Sequence, residues 1–127
     1  MKKILLPIKP VYVAKILSGE KKVEYRKKVV ADVDFILIYA SAPIKKIVAE
    51  FQVENIISSS PEKLWAETKG VGGIEESDYF HYFQGCEKAY AYTISQLTIY
   101  ENPLDVSDLG IERAPQSYQY INCIYKK

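Results

Sequence analysis

Apolar and polar residues alternate along much of this chain, and the alternation predicts a strand-rich protein. Between Ile47 and Val53, hydrophobic side chains stand at every second position, as in a strand with one buried face. Phe35–Tyr39 is instead a continuous apolar run, which favours a strand buried on both sides. The predicted strands are Ile4–Ile8, Lys22–Lys27, Phe35–Tyr39, Ile47–Ile57, Lys88–Ile99 and Tyr120–Tyr125.

Three short helices are predicted between these strands from their start and end signals. Pro10 and Pro61 take first helical positions, where a missing N–H is no loss, and glycines follow the helix ends. The predicted helices run from Pro10 to Gly19, from Ser60 to Gly70 and over Glu75–Gln84. Asn102-Pro103 is predicted to end the fifth strand, and residues 104–114 are predicted to form a loop.

The order of these elements, βαβββααββ, predicts an α+β fold in one domain spanning residues 1–127. Meandering strands with inserted helices favour a small, mostly antiparallel β-barrel of about five to six strands over a parallel sheet. The helices are expected to pack outside the barrel. The predicted core residues are Val23, Phe35, Leu37, Phe51 and Ile94.

The composition is typical of one soluble globular domain, since 48% of the 127 residues are hydrophobic and 26% are charged. No apolar run approaches the ~18 residues of a membrane span, and the apolar segment after Met1 is too short for an export signal. The two cysteines form no CxxC pair, which favours a cytoplasmic protein. No membrane partner is expected, and the oligomeric state stays open between monomer and weak dimer.

Positive charge is concentrated at the start of the chain. Residues 1–28 contain nine Lys or Arg and two acids, whereas residues 29–125 contain six basic and fourteen acidic residues. A basic segment on a nearly neutral protein indicates a local anion-binding patch. Lysines that are merely solvated on a helix and a strand edge are the alternative. The eleven tyrosines suit half-buried sheet faces and also base-stacking surfaces.

Several common catalytic and metal-binding patterns are missing from the sequence. His81 is the only histidine, so a histidine-rich metal site is not expected. No cofactor motif is found either, since Gly70–Gly73 lacks the lysine of a phosphate-binding loop. Cys86 and His81 are not expected to act as a nucleophile and its base, because they lie five residues apart. Side chains three or four residues apart are the ones that are neighbours on a helix. His81 is therefore predicted to pack among its aromatic neighbours.

Four charged residues near the first helix form a candidate ligand site. Glu24 and Arg26, two apart, project from one face of a strand, and Lys9 lies at a helix start, where free N–H groups attract anions. Lys9, Lys21 and Arg26 are predicted to surround a phosphate or carboxylate, and Glu24 to receive the amino edge of a base. The alternative is an Arg26–Glu24 ion pair that only ties two strands together. We predict that the four side chains converge on one accessible cleft with a tyrosine on its wall.

The segment Gly19–Arg26 reads Gly-x-Lys-x-x-Glu-x-Arg and follows an apolar strand and a Lys9-Pro10 helix start. This pattern resembles the opening signature of the ASCH domain, a branch of the PUA-like superfamily. Four later blocks are similar to the family in the same order. They are Ile38–Pro43, Ile47–Phe51, Tyr82–Gly85 and Ala114–Tyr118. The resemblance therefore covers nearly the whole chain.

The resemblance implies a β-barrel with a cleft beside the first helix, which binds RNA or a modified nucleotide or nucleoside. Tyr39, Gln116 and Ser117, which lie in the similar blocks, join Lys9, Lys21, Glu24 and Arg26 as predicted ligand-binding residues. The prokaryotic subfamily that the chain resembles is often labelled a predicted transcriptional regulator, which implies a regulatory role. The primary hypothesis is therefore a binding module for RNA or a modified nucleotide.

A small hydrolase acting on nucleosides or RNA, of amidohydrolase or nuclease type, is the alternative. Some small bacterial ASCH proteins are amidohydrolases of acylated cytidine, with a lysine and a threonine from this block and a downstream glutamate. Lys21 matches the lysine, but Glu24 holds the threonine position, and a carboxylate is a poor substitute for a hydroxyl nucleophile. Glu24 would then act as a base on water, with Lys21 or Arg26 stabilising the oxyanion. Glu67 is the nearest candidate for the downstream acid. A protein-interaction adaptor with a Tyr-rich face is a third, weaker class.

Overall fold

The structure is a computed structural model, and it describes residues 1–121. In chain order its elements are β1 (Lys3–Ile8), α1 (Pro10–Leu17), β2 (Val23–Arg26), β3 (Phe35–Ala40), β4 (Lys46–Ser59), α2 (Pro61–Thr68), α3 (Glu76–Tyr82), β5 (Ala89–Leu104), a 3₁₀ turn (Val106–Leu109) and β6 (Gln119–Ile121). The predicted α+β class and element order are confirmed. The last strand was predicted over Tyr120–Tyr125, of which residues 122–125 lie outside the described residues.

The strands form one mixed, mostly antiparallel sheet in the order β2-β5-β4-β3-β1-β6. Only β1 and β3 run parallel among the pairs of residues 1–121. Over the same residues no pairing joins the end strands β2 and β6, so the sheet is not closed into the expected barrel. The four-residue β2 meets the end of β1 through a side chain instead, because Arg26 Nη2 donates to the Pro7 carbonyl at 2.7 Å. We call this opening between β1 and β2 the seam.

Strand β5 continues through Asn102-Pro103 to Leu104, so the predicted strand break was wrong. Ile99 pairs with Ala49, and Leu104 pairs with Ile47. An advance of five residues along β5 is therefore matched by an advance of only two residues along β4. The extra residues form an irregularity in the ladder, where a proline without an N–H is tolerated. The predicted loop after this strand contains the 3₁₀ turn, which Asp105 caps at its start and Gly110, with φ of +75°, ends.

The central strand β3 is buried on both faces, as its continuous apolar run predicted. Ile36 and Ile38 point into the largest core cluster, whereas Leu37 and Tyr39 point into a second cluster on the opposite face. Leu109, the last residue of the 3₁₀ turn, packs in that second cluster. Of the predicted core residues, Val23, Leu37 and Phe51 are buried, whereas Phe35 and Ile94 are half-buried.

The helices pack outside the sheet, as predicted. Helix α1 buries Val13 and Ile16 on the main cluster. Helices α2 and α3 contribute Leu64, Tyr79 and Phe83 to a third cluster, which contains Val23 and Tyr25 of β2. This aromatic packing holds one face of β2, so that the other face is left for the seam. No helix among residues 1–121 has the length and apolar character to cross a membrane.

Candidate functional site

A cavity of about 590 Å³ lies at the seam, lined by residues of β1, α1, β2 and α3 and of the loops between the elements. The end of β1 and the start of α1 form one wall, and β2 with the turn before it forms the floor. Helix α3 forms the opposite wall through three side chains, those of Asp78, His81 and Tyr82. The loop before β6 reaches the rim through Gln116. A cavity of this size is within the range of small-ligand sites in proteins.

Lys21 is directed into the protein by the turn that follows α1. Gly19, with φ of +87°, reverses the chain, and the Lys21 amide then donates to the Lys15 carbonyl at 2.9 Å. The side chain is 3% exposed and its Nζ donates to the carbonyl of Gly72 at 2.6 Å. The same Nζ lies 4.9 Å from the ring centre of Tyr25, a cation–π distance. Lys21 is therefore a buried cation on the cavity floor.

Burial lowers the pKa of Lys21 below its ordinary value, because a low-polarity environment disfavours the ammonium form. The nearby carboxylate of Glu24 acts in the opposite direction, whereas the positive charges of Arg26 and Lys15 lower the pKa further. Lysine with a lowered pKa is a feature of sites that move protons or bind anions.

Folding stability should consequently rise with pH over the range in which Lys21 loses its proton. Because the pKa of Lys21 is lower in the folded than in the unfolded protein, the unfolded chain holds the extra proton between the two values. The free energy of unfolding should gain up to ~1.4 kcal/mol per pH unit below about pH 10.5 from this group. Urea denaturation of the wild type and of Lys21→Met, compared from about pH 8 to 10, measures it. Parallel curves for the two proteins would exclude a lowered pKa at Lys21.

Glu24 and Arg26 form an ion pair on the cavity side of β2. Arg26 Nε and Nη2 lie 3.1 and 2.9 Å from Oε2 of Glu24, and the other carboxylate oxygen, Oε1, lies 3.9 Å from Lys21 Nζ. Glu24 is 6% exposed, and one carboxylate thus serves two cations. The ion pair that the sequence left as an alternative is present, and it lines the cavity.

Five of the predicted site residues line the cavity and three do not. Lys9, Lys21, Glu24, Arg26 and Gln116 line it, with Lys9 and Gln116 exposed at the rim. Tyr39 is buried in the second core cluster, because it points to the face of β3 opposite Ile38. Ser117 is exposed outside the cavity lining, and Glu67 is exposed on α2.

The α3 wall and Tyr12 were not among the residues proposed from the sequence. His81 is exposed and lines the cavity, so its predicted packing among aromatic neighbours was wrong. Asp78, His81 and Tyr82 are spaced at i, i+3 and i+4, whereas Tyr79 and Phe83 occupy the buried face. Tyr12 lies with its ring centre 5.3 Å from Lys21 Nζ. The helical spacing of Asp78, His81 and Tyr82 indicates that they share one face of α3. It does not indicate which part of the protein that face lines.

The family model of the ASCH domain matches residues 6–101. An ASCH domain-containing ribonuclease of Zymomonas mobilis subsp. mobilis is 30% identical over 95 residues, which make up 73% of this chain and 64% of that protein. The large ribosomal subunit protein uL22 of Ureaplasma parvum serovar 3 is 29% identical over 86 residues. That match covers 68% of this chain, and the chain spans only 28% of the ribosomal protein.

Solved structures show the same fold. A crystal structure of ASCH from Zymomonas mobilis superimposes with a TM-score of 0.87 at 25% identity, over 95% of this chain and 88% of that chain. The N-terminal domain of Staphylothermus marinus McrB superimposes with a TM-score of 0.51 at 13% identity, over 84% and 78% of the two chains. The second likeness concerns the fold alone.

Proposed function

The chain belongs to the ASCH domain family, and we propose that it binds RNA or a modified nucleotide with one nucleotide unit in the seam cavity. The observation that carries this proposal is the group formed by buried Lys21 and Glu24 and half-buried Arg26 on the floor of a cavity that tyrosines also line. A similar protein of Zymomonas mobilis is named a ribonuclease, which supports RNA as the ligand class.

The charges of the cavity favour an anionic ligand. Lys21 and Arg26 share the single carboxylate of Glu24, so among residues 1–121 one positive charge on the floor has no acidic partner of its own. Lys9 adds a cation at the rim, and Asp78 adds an acid on the α3 wall. A phosphodiester placed over Lys21 and Arg26 would supply the missing negative charge. Nε and Nη2 of Arg26 donate to Glu24 and Pro7, so a phosphate oxygen would accept from Nη1.

The remaining groups suit a nucleobase. Within the described part of the chain, the contact of Glu24 Oε1 is the long 3.9 Å one with Lys21, so this oxygen could accept an amino N–H from cytosine or adenine. Tyr12 of α1 and Tyr82 of α3 both line the cavity, and aromatic side chains stack on bases in many single-strand binding proteins. Phosphate contacts would thus supply affinity, and the carboxylate would supply base preference.

Binding to short single-stranded RNAs is expected to depend on Lys21. We expect Lys21→Met to weaken binding by about tenfold or more. The slope of log affinity against log salt concentration should decrease by the amount that about one phosphate contact contributes. Lys63→Met, which removes an exposed lysine of α2 outside the cavity lining, is the matched control and should bind like the wild type. Fluorescence anisotropy with labelled RNAs and nucleotides in a salt series measures both. Equal weakening by the two variants would refute the proposed site.

RNA cleavage is a second candidate function, favoured by the proximity of Lys21 and Glu24 at 3.9 Å and by the lowered pKa of Lys21. In such a cleavage the 2′-oxygen bonds to phosphorus, the bond from phosphorus to the 5′-oxygen breaks, Glu24 takes the 2′ proton, and Lys21 gives a proton to the departing oxygen. Mass spectrometry of the same RNAs, and of acyl-cytidine as a second substrate, after incubation with the protein detects cleaved or deacylated products. Binding without any product would support a regulatory role.

A further inference from the structure

We propose that Gly73 is a positioning residue for Lys21, because the absence of a side chain at Gly73 lets the loop between α2 and α3 pack directly on that lysine. We call residues 70–74 of this connection the glycine loop. The geometric part of this inference stands on the loop itself, and its consequence for ligand binding rests on the proposed function. Gly73 is not among the cavity-lining residues, so its effect would act through Lys21, whereas Ile74 at the end of the loop lines the cavity directly.

The contact between Gly73 and Lys21 leaves no room for a methyl group. A Cβ at position 73 would lie 2.7 Å from Lys21 Cβ and 2.9 Å from its Cγ, well inside the ~3.5–4.0 Å at which carbon atoms pack favourably. Gly73 also has φ of +64°, a conformation that costs most other residues free energy. Both features favour glycine at this position.

Lys21 has little freedom to move away from the loop. Its Cβ and Cγ are close to the backbone, and the Lys21 amide is held by the Lys15 carbonyl at 2.9 Å. The next amide, that of Lys22, donates to the Val71 carbonyl in the glycine loop at 2.8 Å. The stem of Lys21 is therefore enclosed between α1 and the loop, and a new methyl group would have to displace one of them.

The loop also binds the other end of the Lys21 side chain. Its Nζ donates to the Gly72 carbonyl at 2.6 Å, which orients the ammonium group beside Glu24. Gly72 faces in a different direction, because a Cβ there would meet the hydroxyl of Tyr25, which is hydrogen-bonded to Thr68. The two glycines thus serve different neighbours: Gly72 packs on the aromatic cluster, and Gly73 packs on the ligand-site lysine.

Such enclosure would place the ammonium group before a ligand arrives. A free lysine side chain loses up to ~2 kcal/mol of rotamer entropy when it is ordered, and a site that is ordered in advance avoids this loss on binding. Gly73→Ala would displace the stem of Lys21 from its position between α1 and the loop. The ammonium group would then leave the Gly72 carbonyl, and with less burial the pKa of Lys21 would move back up toward its ordinary value.

The test compares Gly73→Ala with Gly70→Ala in the full chain. Gly70 lies in the same loop, and a Cβ there meets nothing within 4 Å, so it is a matched control. The pKa of Lys21 is followed by NMR of its labelled side chain, and affinity is measured with the labelled RNAs described above. We expect Gly73→Ala to raise the pKa of Lys21 and to weaken RNA binding by about tenfold, and Gly70→Ala to change neither.

Different results separate this inference from the proposed function. An unchanged pKa of Lys21 in folded Gly73→Ala would overturn the positioning role, whether or not RNA binds. A raised pKa with no RNA binding by the wild type would support positioning and refute the proposed function. Gly73→Asn separates the Cβ contact from backbone strain, because asparagine tolerates positive φ: wild-type pKa and affinity in this variant would also overturn the role.

A measurement on the wild type keeps the inference testable if both Gly73 variants fail to fold. An enclosed amine is shielded from an acylating reagent, so Lys21 is expected to be acetylated much more slowly than the exposed Lys63, although its lowered pKa leaves more of it in the reactive neutral form. Peptide mass spectrometry of briefly treated, folded protein gives the two rates. Equal rates would show that the glycine loop does not enclose Lys21 in solution.

Discussion

Glu24→Gln is expected to lower the free energy of unfolding by about 3–5 kcal/mol, because it leaves two buried or half-buried cations without their carboxylate. Arg26 donates two hydrogen bonds to Glu24, and Lys21 Nζ lies 3.9 Å from it. Since Glu24 is almost fully buried, water replaces little of what is lost. Glutamine keeps the size and one acceptor oxygen of the side chain but removes its charge. Urea denaturation measures the change.

Glu20→Gln is the matched control for this variant, because Glu20 lies in the turn just before β2 but is exposed. Its effect on stability should stay within about 0.5 kcal/mol. Similar stabilities for the two variants would show that the charged group contributes little to folding.

At temperatures where Glu24→Gln remains folded, its preference among RNA bases should change more than its total affinity, because a carboxylate accepts base N–H groups and does not attract phosphate.

Phe51→Ala is expected to cost about 3–5 kcal/mol of stability, the range found when a buried aromatic side chain is removed from a core. Phe51 is fully buried in the main cluster, where α1 packs on the sheet. Ile99→Ala is the control on the neighbouring strand β5, since Ile99 is 55% exposed and should change stability by no more than about 0.5 kcal/mol. A loss below about 1 kcal/mol for Phe51→Ala would place Phe51 outside the folding core.

The fold followed closely from local patterns. The alternation in β2 predicted that Glu24 and Arg26 share a face, and in the structure they form an ion pair while Val23 and Tyr25 pack in the third cluster. Alternation was less informative where the ladder is irregular. Ile47 was grouped with Phe51 on one face, but a register shift after Ile47 places it in the second cluster instead. An extra residue in the strand pairing moves the following side chains to the opposite face of the sheet. The alternation of apolar and polar residues does not reveal such an insertion.

The candidate site was partly accessible from the sequence. Lys21, Glu24 and Arg26 lie within six residues of one another, so a turn and a strand periodicity were enough to group them. The α3 wall was missed because Asp78 and His81 are more than fifty residues from this segment. Helical spacing shows that these residues share a polar face, but packing of Tyr79 and Phe83 under α3 decides that this face turns to the cavity.

The sequence by itself determined the α+β class, the order of elements, the membership of the ASCH family and the charged group on β2. Each of these depends on neighbours in sequence, where side-chain periodicity and turn chemistry act directly. Only the tertiary structure decided that the sheet stays open at the seam and that the glycine loop encloses Lys21. The hydrogen bond from Lys21 to Gly72 joins residues 51 positions apart, and such contacts arise from the packing of whole elements, which local patterns do not encode.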